Sequence, residues 1–170
     1  MSADFREHSV SYFFRPLVSA HDRQRYEIFC YASIWRPDEI TEALRRTSDH
    51  WRDIRLLDAG EAARAIRNDG IDILIDLGGH TAENRLDVFA LQPAAVQMTW
   101  LGYPGTTGIV PIAVRNTDGV TDPVGMTENH YTERLIRLPE IFLCYGPVTG
   151  APEVGCLPAQ RHGAVTFGSF

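Results

Sequence analysis

One run of the sequence, residues 71–77, constrains the fold more than any other. It reads Ile-Asp-Ile-Leu-Ile-Asp-Leu and is followed at once by Gly78 and Gly79. A nearly continuous apolar run of this length, ended by glycines, is typical of a strand that helices cover on both faces. The run therefore indicates a central strand of a parallel sheet in an α/β protein.

Three further strands are predicted around this one, and helical patterns separate them. The strands lie near residues 26–32, 51–57 and 95–101. Helices are expected at residues 10–18, 37–48, 61–68 and 86–91. Because strands and helices alternate, the sequence predicts a mostly parallel sheet with right-handed crossovers and helices on both sides.

The composition fits one folded domain and argues against several classes of protein. The chain has 170 residues, 44% of them hydrophobic and 22% charged, and a net charge of −6. That charge disfavours nucleic acid as a partner, and no apolar run approaches the roughly 18 residues of a membrane span. Three cysteines without a CxxC pair, and no secretion signal, predict a cytoplasmic protein with reduced thiols.

The amino-acid composition of the chain changes after Gly102, where glycine and proline become frequent. Short strands are predicted at residues 134–138 and 141–145. We assign residues 1–145 to the domain and residues 146–163 to an irregular linker. Residues 164–170 are predicted to begin a new strand and a further domain.

Two polar loops and one histidine are the candidate functional residues. Ligands of open parallel sheets bind beyond the carboxyl ends of the strands, where both loops are expected. The first loop carries Gly79, His80 and Thr81. Its glycines permit close approach, free N–H groups at the next helix start favour an anion, and His80 can act as an acid or base. The alternative is a tight turn with a solvated histidine.

The second loop, residues 100–108, is rich in glycine and threonine but contains no lysine, so it is not a P-loop. It can present backbone N–H groups to a ligand, and the alternative is a long surface turn. His8 precedes the first helix, for which Ser9 is the expected cap; an exposed histidine is the simpler interpretation. The other histidines lack metal-binding spacing and are predicted to lie at the surface: His21, His50, His130 and His162.

Several segments, taken in order, resemble one known family. They are residues 2–8 (SADFREH), 69–81 (DGIDILIDLGGHT), 84–85 (NR), 100–108 (WLGYPGTTG) and 165–170 (VTFGSF). Together they closely resemble the catalytic region of the protein O-linked N-acetylglucosamine transferases, including the bacterial and Spindly-like members. The resemblance covers nearly the whole chain.

The resemblance implies the N-terminal, Rossmann-like half of a two-domain GT-B glycosyltransferase, usually preceded by tetratricopeptide repeats. Such enzymes are inverting, need no metal or other cofactor, and transfer N-acetylglucosamine from UDP-N-acetylglucosamine to Ser or Thr of acceptor proteins. It also implies that the family's first strand is missing, leaving a gap beside residues 71–77. The donor-binding half would begin at residues 164–170, so the chain is expected to be inactive alone.

The resemblance assigns residues to the site by position. His8 and His80 are the catalytic candidates, His8 matching a histidine in the cleft. The expected contacts to the donor sugar are Gly79, Thr81, Leu101, Gly102, Pro104, Thr106 and Thr107. Ser9 replaces a proline of the family, and Ala113-Val114 replace Asp-Tyr, which removes a carboxylate and a hydroxyl.

Three alternative functions stay open at this point. The first is another sugar transfer in the same superfamily, either of fucose from a GDP donor or of glucose to Asn. The second is a vestigial fragment that binds peptides or repeat proteins without catalysis. The third is half of a sugar-nucleotide epimerase, which the absence of a dinucleotide fingerprint disfavours.

Overall fold

Six parallel strands form the sheets of the computed structural model, which describes residues 1–147 and 150–168. The strands are β1 (Phe29–Ala32), β2 (His50–Asp53), β3 (Ile73–Asp76), β4 (Val96–Thr99), β5 (Val114–Asp118) and β6 (Arg134–Leu138). The α-helices are α1 (Ser9–Ala20), α2 (Glu39–Thr47), α3 (Ala59–Asn68), α4 (Leu86–Ala90) and α5 (Pro158–His162). A 3-10 helix spans Glu128–His130. None of these helices is long and apolar enough to cross a membrane.

The strands pair in two groups, β1 with β2 and β3-β4-β5-β6 in that order. The first residues of the chain lie between the groups. Met1 donates its N–H to the carbonyl of Ile75 at 2.7 Å, and Ser2 donates to the carbonyl of Tyr31 at 3.1 Å. Apart from this short contact, no strand in the described ranges joins β1 to β3, which agrees with the gap expected beside β3.

Helices cover the sheet on both faces. Along β1, Cys30 and Ala32 pack into one apolar cluster while Tyr31 packs into another, and successive strand residues point to opposite faces. One cluster includes α1 through residues such as Phe14, and the other includes α3 through residues such as Ile66. The chain therefore forms the predicted α/β architecture with a core on each face of the sheet.

The four predicted strands are present but shorter than their apolar runs. Residues 26–28 lie outside β1, where Tyr26 donates its N–H to the Asp22 carbonyl in a turn. After β2, the Asp53 carboxylate accepts from the N–H of Arg55 and turns the chain, which leaves Leu56 77% exposed. The hydrophobic runs therefore mark strands together with the residues that flank them.

Two strand predictions were wrong and one strand was missed. Residues 141–145 are not a strand, because the N–H of Phe142 donates to Asp118 and its carbonyl accepts from the Trp100 indole. Residues 164–168 have no regular structure, and 169–170 lie outside the described residues, as do 148–149 of the predicted linker. Strand β5 was missed because its sequence, Val-Arg-Asn-Thr-Asp, has one apolar residue. The domain boundaries at 145 and 163 stay predictions.

His21 was wrongly assigned to the surface. Its side chain is 7% exposed and lies between the Val18 carbonyl at the end of α1, 2.5 Å from Nδ1, and the Asp49 carboxylate, 3.1 Å from Nε2. The same carboxylate accepts the N–H of Ile28 and the guanidinium of Arg23. Through Asp49, the histidine thus ties the end of α1 to the residues that directly precede β1 and β2.

Candidate functional site

The two polar loops interlock at the carboxyl ends of β3 and β4. A side chain at Gly102 would overlap the carbonyl of Leu77, and one at Gly79 would overlap the Tyr103 ring. Gly79 also has φ of +52°, a conformation that L side chains rarely adopt. Glycine at both positions is what allows the backbone of each loop to lie against the other.

The carboxylate of Asp76 occupies the backbone donors of the first loop. The buried Asp76 carboxylate accepts the N–H of Gly78 at 3.1 Å, the N–H of Gly79 at 2.9 Å and the Thr99 hydroxyl at 2.8 Å. The expectation of free N–H groups here was wrong for both glycines. Nor does a helix start at this point, because α4 begins only at Leu86.

His80 lies in the first loop and contacts the second. Its Nε2 lies 2.8 Å from the carbonyl oxygen of Thr107, and its ring meets Tyr103 edge-on at 5.4 Å between centroids. A carbonyl oxygen only accepts, so Nε2 carries the proton. In the neutral ring this leaves the lone pair on Nδ1 as the acceptor that His80 can offer to a ligand.

The second loop is fixed by a buried acid. Glu133, which is 4% exposed, accepts the N–H of Thr107 at 2.7 Å, the Thr107 hydroxyl, and the Thr106 hydroxyl at 2.7 Å. Burial acts to raise the pKa of Glu133, but the hydrogen bonds from Thr107 and Thr106 outweigh it and hold that pKa below its ordinary value.

A buried arginine holds the middle of the same loop. Arg115 of β5 donates to the carbonyls of Tyr103 at 2.9 Å and Gly105 at 3.1 Å, and its guanidinium lies over the Tyr131 ring. The Tyr131 hydroxyl donates to the carbonyl of Pro104 at 3.2 Å. Arg115 and Tyr131 thus bind three consecutive carbonyls of the loop, those of Tyr103, Pro104 and Gly105.

Thr81 borders a very small cavity. Its hydroxyl donates to the Gly78 carbonyl at 2.8 Å, and its side chain lines a space of about 10 Å³ together with Asp4, Ser33 and Arg85. The buried Ser33 hydroxyl has no hydrogen-bond partner among the described residues. The space has room for no more than about one water molecule, so it is not a sugar pocket by itself.

His8 caps α1, a role that the sequence assigned to Ser9. Its Nδ1 accepts the N–H of Val10 at 3.3 Å, and its Nε2 lies 3.8 Å from the Asp4 carboxylate. The Nδ1 lone pair is therefore engaged by the helix and is not free to accept a proton. Val10 lies against Gly102, which places the start of α1 at the same end of the sheet as the loops.

The structure thus brings the predicted site residues together to different degrees. His80 contacts Thr107 directly, while Gly79 packs on Tyr103 and Gly102 packs on Leu77. His8 contacts Val10, which lies against Gly102, and Thr81 bonds the Gly78 carbonyl. Leu101 has φ of +80°, a strained backbone for a bulky residue, at the turn out of β4. Thr106 is held by Glu133, and Pro104 is exposed.

The sequence analysis missed the residues that support the loops. Glu133 and Arg115 stand in polar segments with no periodic signal, so no pattern marked them. Arg85 was not marked as a support either, yet its side chain is 14% exposed and donates to the carbonyls of Ile54 and Leu57. Within residues 1–147 and 150–168 no cluster of His, Cys, Asp and Glu is arranged to hold a metal ion.

The fold and the interlocked loops define a Rossmann-like domain that presents a histidine and hydroxyl groups at the carboxyl edge of its sheet. Comparison with known proteins gives the family: residues 1–146 match the model of glycosyl transferase family 41, and the chain belongs to that family.

The relatives agree on the type of protein. The whole chain is 42% identical to 19% of a probable UDP-N-acetylglucosamine–peptide N-acetylglucosaminyltransferase SPINDLY from Oryza sativa subsp. japonica. Over 84% of its length it is 39% identical to 12% of the corresponding Caenorhabditis elegans transferase. A solved mutant of the Thermobaculum terrenum O-GlcNAc transferase superposes with a TM-score of 0.88, at 41% identity, over 91% of this chain and 30% of that one.

These matches identify the fold as the Rossmann-like N-terminal part of a GT-B glycosyltransferase. The chain spans about a fifth of the length of the plant relatives, 19% in the rice protein.

Proposed function

We propose that the chain forms the acceptor-side half of a protein O-glycosyltransferase that transfers N-acetylglucosamine from UDP-N-acetylglucosamine to Ser or Thr of proteins. The observation that carries the proposal is the interlock of the two loops, in which His80 bonds the Thr107 carbonyl and Gly102 packs on Leu77. The relatives, named as UDP-N-acetylglucosamine–peptide N-acetylglucosaminyltransferases, support the same donor and reaction.

The electrostatics of the loops favour a neutral group as their ligand. The carboxylate of Asp76 occupies the N–H groups of Gly78 and Gly79, and that of Glu133 occupies the N–H of Thr107. A second anion at these places would meet a negative charge rather than free donors. We therefore assign the uncharged sugar, not the diphosphate, to this part of the site.

In the proposed reaction an acceptor hydroxyl attacks the anomeric carbon while the bond from that carbon to the diphosphate oxygen breaks. The nucleoside diphosphate leaves with the bonding electron pair, and the hydroxyl proton passes to it or to water. The new bond forms on the opposite face of the sugar, so the configuration inverts. His80 Nδ1 and the lone pairs of the Thr81 hydroxyl are acceptors for sugar hydroxyl groups. His8 is disfavoured as the base, because its Nδ1 already accepts from Val10.

We propose that the chain alone does not turn over. Binding energy from the nucleotide, remote from the reacting carbon, normally supports chemistry at the sugar. At the two loops the structure offers a space of about 10 Å³ beside Thr81 and carboxylates that occupy backbone donors, and neither suits a nucleotide diphosphate. The proposed partners are a nucleotide sugar and an acceptor protein, without a metal or other cofactor.

A chimera tests the proposal. Residues 1–146 would replace the matching part of the Thermobaculum terrenum enzyme, and transfer from radiolabelled UDP-N-acetylglucosamine to a Ser/Thr-rich protein would be measured with and without EDTA. We expect transfer by the chimera, at least 10-fold less with His80→Ala, and none by the 170-residue chain. GDP-fucose is the second donor in the panel.

The outcomes separate the alternatives. A chimera that melts like the parent enzyme but transfers sugar from neither donor contradicts the proposal. Transfer from GDP-fucose alone would keep the reaction type and correct the donor. Transfer by the isolated chain would show that the binding residues are already complete within it.

A further inference from the structure

We propose that Glu133 is the positioning residue of the sugar-contacting loop, residues 100–108, and that it orients His80 through Thr107. The inference deepens the proposed function, because it names the group that holds the loop for its ligand. Glu133 itself is not assigned a contact with the substrate. Its role is to fix the backbone on which Thr107 and His80 depend.

The first step is the pattern of donors around the carboxylate. Glu133 Oε1 accepts both the N–H and the hydroxyl of Thr107, and Oε2 accepts the hydroxyl of Thr106. An ionised carboxylate only accepts, which matches three donors and no acceptor. Hydrogen bonds to a charged acceptor are also stronger than neutral ones, more so in a buried site.

The second step is the direction of the Thr107 hydroxyl. Its oxygen accepts the N–H of Ile109 at 3.3 Å, and its hydrogen is directed at Glu133. The Thr106 hydroxyl donates to Glu133 at 2.7 Å and also lies 3.0 Å from the Thr132 hydroxyl, where either oxygen can donate. A glutamine amide whose NH₂ group faced Thr107 would place a donor against the two Thr107 donors.

The third step links the acid to the histidine. Thr107 is held by Glu133 through its N–H and hydroxyl, while its carbonyl oxygen accepts from His80 Nε2 at 2.8 Å. The carbonyl position sets both the direction of the His80 ring and the nitrogen that carries the proton. Loss of the acid should therefore be detected at His80 Nδ1, although the two side chains make no contact with each other.

The fourth step explains how a residue before β6 reaches the loop after β4. Thr99 at the end of β4 is level with Arg115, and Arg115 is level with Leu135 of β6. The strands are thus staggered, and the start of β6 is level with the end of β4, with β5 between them. Glu133 precedes β6 directly, so it stands at the level where the loop leaves β4 and reaches Thr106 and Thr107.

The test uses the 170-residue chain and its Glu133→Gln variant. Amide hydrogen exchange of residues 106–109 is measured together with the ¹⁵N signals of the His80 ring. We expect exchange in the loop to rise by about 10-fold or more when the charge-assisted bonds are lost. The His80 signals should shift from a single Nε2–H form toward a mixture of tautomers.

Two controls separate positioning from general stability. Glu140→Gln removes the same charge from an exposed residue beyond β6 and should change neither readout. Thr107→Ser keeps the hydroxyl donor and should behave like the parent chain, whereas Thr107→Val keeps the shape and should loosen the loop. The threonine pair also gives the answer if Glu133→Gln does not fold.

The proposal is overturned if Thr107→Val, or a folded Glu133→Gln variant, leaves loop exchange and the His80 signals unchanged. A titration with UDP-N-acetylglucosamine is also run on the unmutated chimera. A loosened loop in the variants, together with an unmutated chimera that binds no sugar nucleotide, would contradict the proposed function while leaving the positioning role intact. The two conclusions can therefore fail separately.

Discussion

The backbone N–H of Gly146 donates to the carbonyl oxygen of Tyr12 at 3.0 Å. That carbonyl would normally accept from the residue four positions later in α1, but this residue is Pro16, which has no N–H. The segment after β6 therefore supplies the N–H donor that Pro16 cannot give to the Tyr12 carbonyl. A nearby contact between the rings of Phe13 and Tyr145, 5.7 Å between centroids, strengthens the same junction.

Replacing Gly146 should weaken this junction. In Gly146→Ala the new methyl group would lie 2.5 Å from Cγ of Pro16, so either the segment or the helix has to move. We expect a loss of about 1–3 kcal/mol in the free energy of unfolding, measured by urea denaturation. Gly155→Ala is the matched control, since nothing lies near its added methyl group. Equal stability of the two variants would contradict the packing argument.

The interlock of the loops should be equally sensitive to one methyl group. In Gly102→Ala the methyl group would overlap the Leu77 carbonyl, which is backbone and has no alternative rotamer. We expect a loss of about 2 kcal/mol or more in the free energy of unfolding. Gly119→Ala, in open space after β5, should be within about 1 kcal/mol of the parent chain. A Gly102→Ala chain as stable as this control would show that the loops can separate freely.

Much of the fold could be predicted because its signals are local. The run at residues 71–77 and the helical patterns around it depend on which residues face the core, and that periodicity is visible in the sequence. Strand β5 gives no such signal, because its buried Arg115 and Thr117 are polar and are stabilised by partners elsewhere in the chain. Those partners become neighbours only after the sheet has formed.

Part of the candidate site could also be predicted from the sequence, and part depends on contacts that form only in the folded chain. That both loops leave one edge of the sheet follows from the order of the strands. The support from Glu133 depends on the stagger of β4 and β6, which no pattern in the sequence records. The error about free N–H groups was avoidable, since an aspartate two residues before Gly78 commonly accepts its N–H in an Asx turn.

Asp49 should make the protein sensitive to acid. The N–H of Ile28, together with His21 and Arg23, holds the pKa of Asp49 below its ordinary value of 3.8. Between the two pKa values the unfolded chain binds more protons than the folded one, so stability rises with pH there. The contribution is complete above the unfolded value and is lost as the pH falls through the folded one.

Urea denaturation from pH 7 to pH 3 tests this dependence. Asp49→Asn should cost about 1–3 kcal/mol at pH 7, because a partly buried acceptor of several donors is weakened. The difference from the parent chain should shrink as the pH falls below about 4, where the Asp49 carboxylate of the unfolded parent chain begins to take up a proton. Asp22→Asn, at an exposed residue, is the control. A difference that stays constant over the whole range would show that the charge of Asp49 is not what stabilises the fold.

Asp76 should be the residue on which the first loop most depends. Its carboxylate accepts from Gly78, Gly79 and Thr99, and an asparagine of the same shape has only one oxygen for these donors. Whichever way the amide is turned, its NH₂ group faces at least one backbone N–H or hydroxyl donor. We expect Asp76→Asn to lose about 1–3 kcal/mol and to speed amide exchange at both glycines.

Asp72→Asn is the matched control for this prediction, because Asp72 is an exposed residue just before the same strand. It removes the same charge and should change the free energy of unfolding by less than about 0.5 kcal/mol. Exchange at Gly78 and Gly79 should stay at the parent rate in the control and rise in Asp76→Asn. If exchange rises equally in both variants, net charge rather than the Asp76 hydrogen bonds orders the turn.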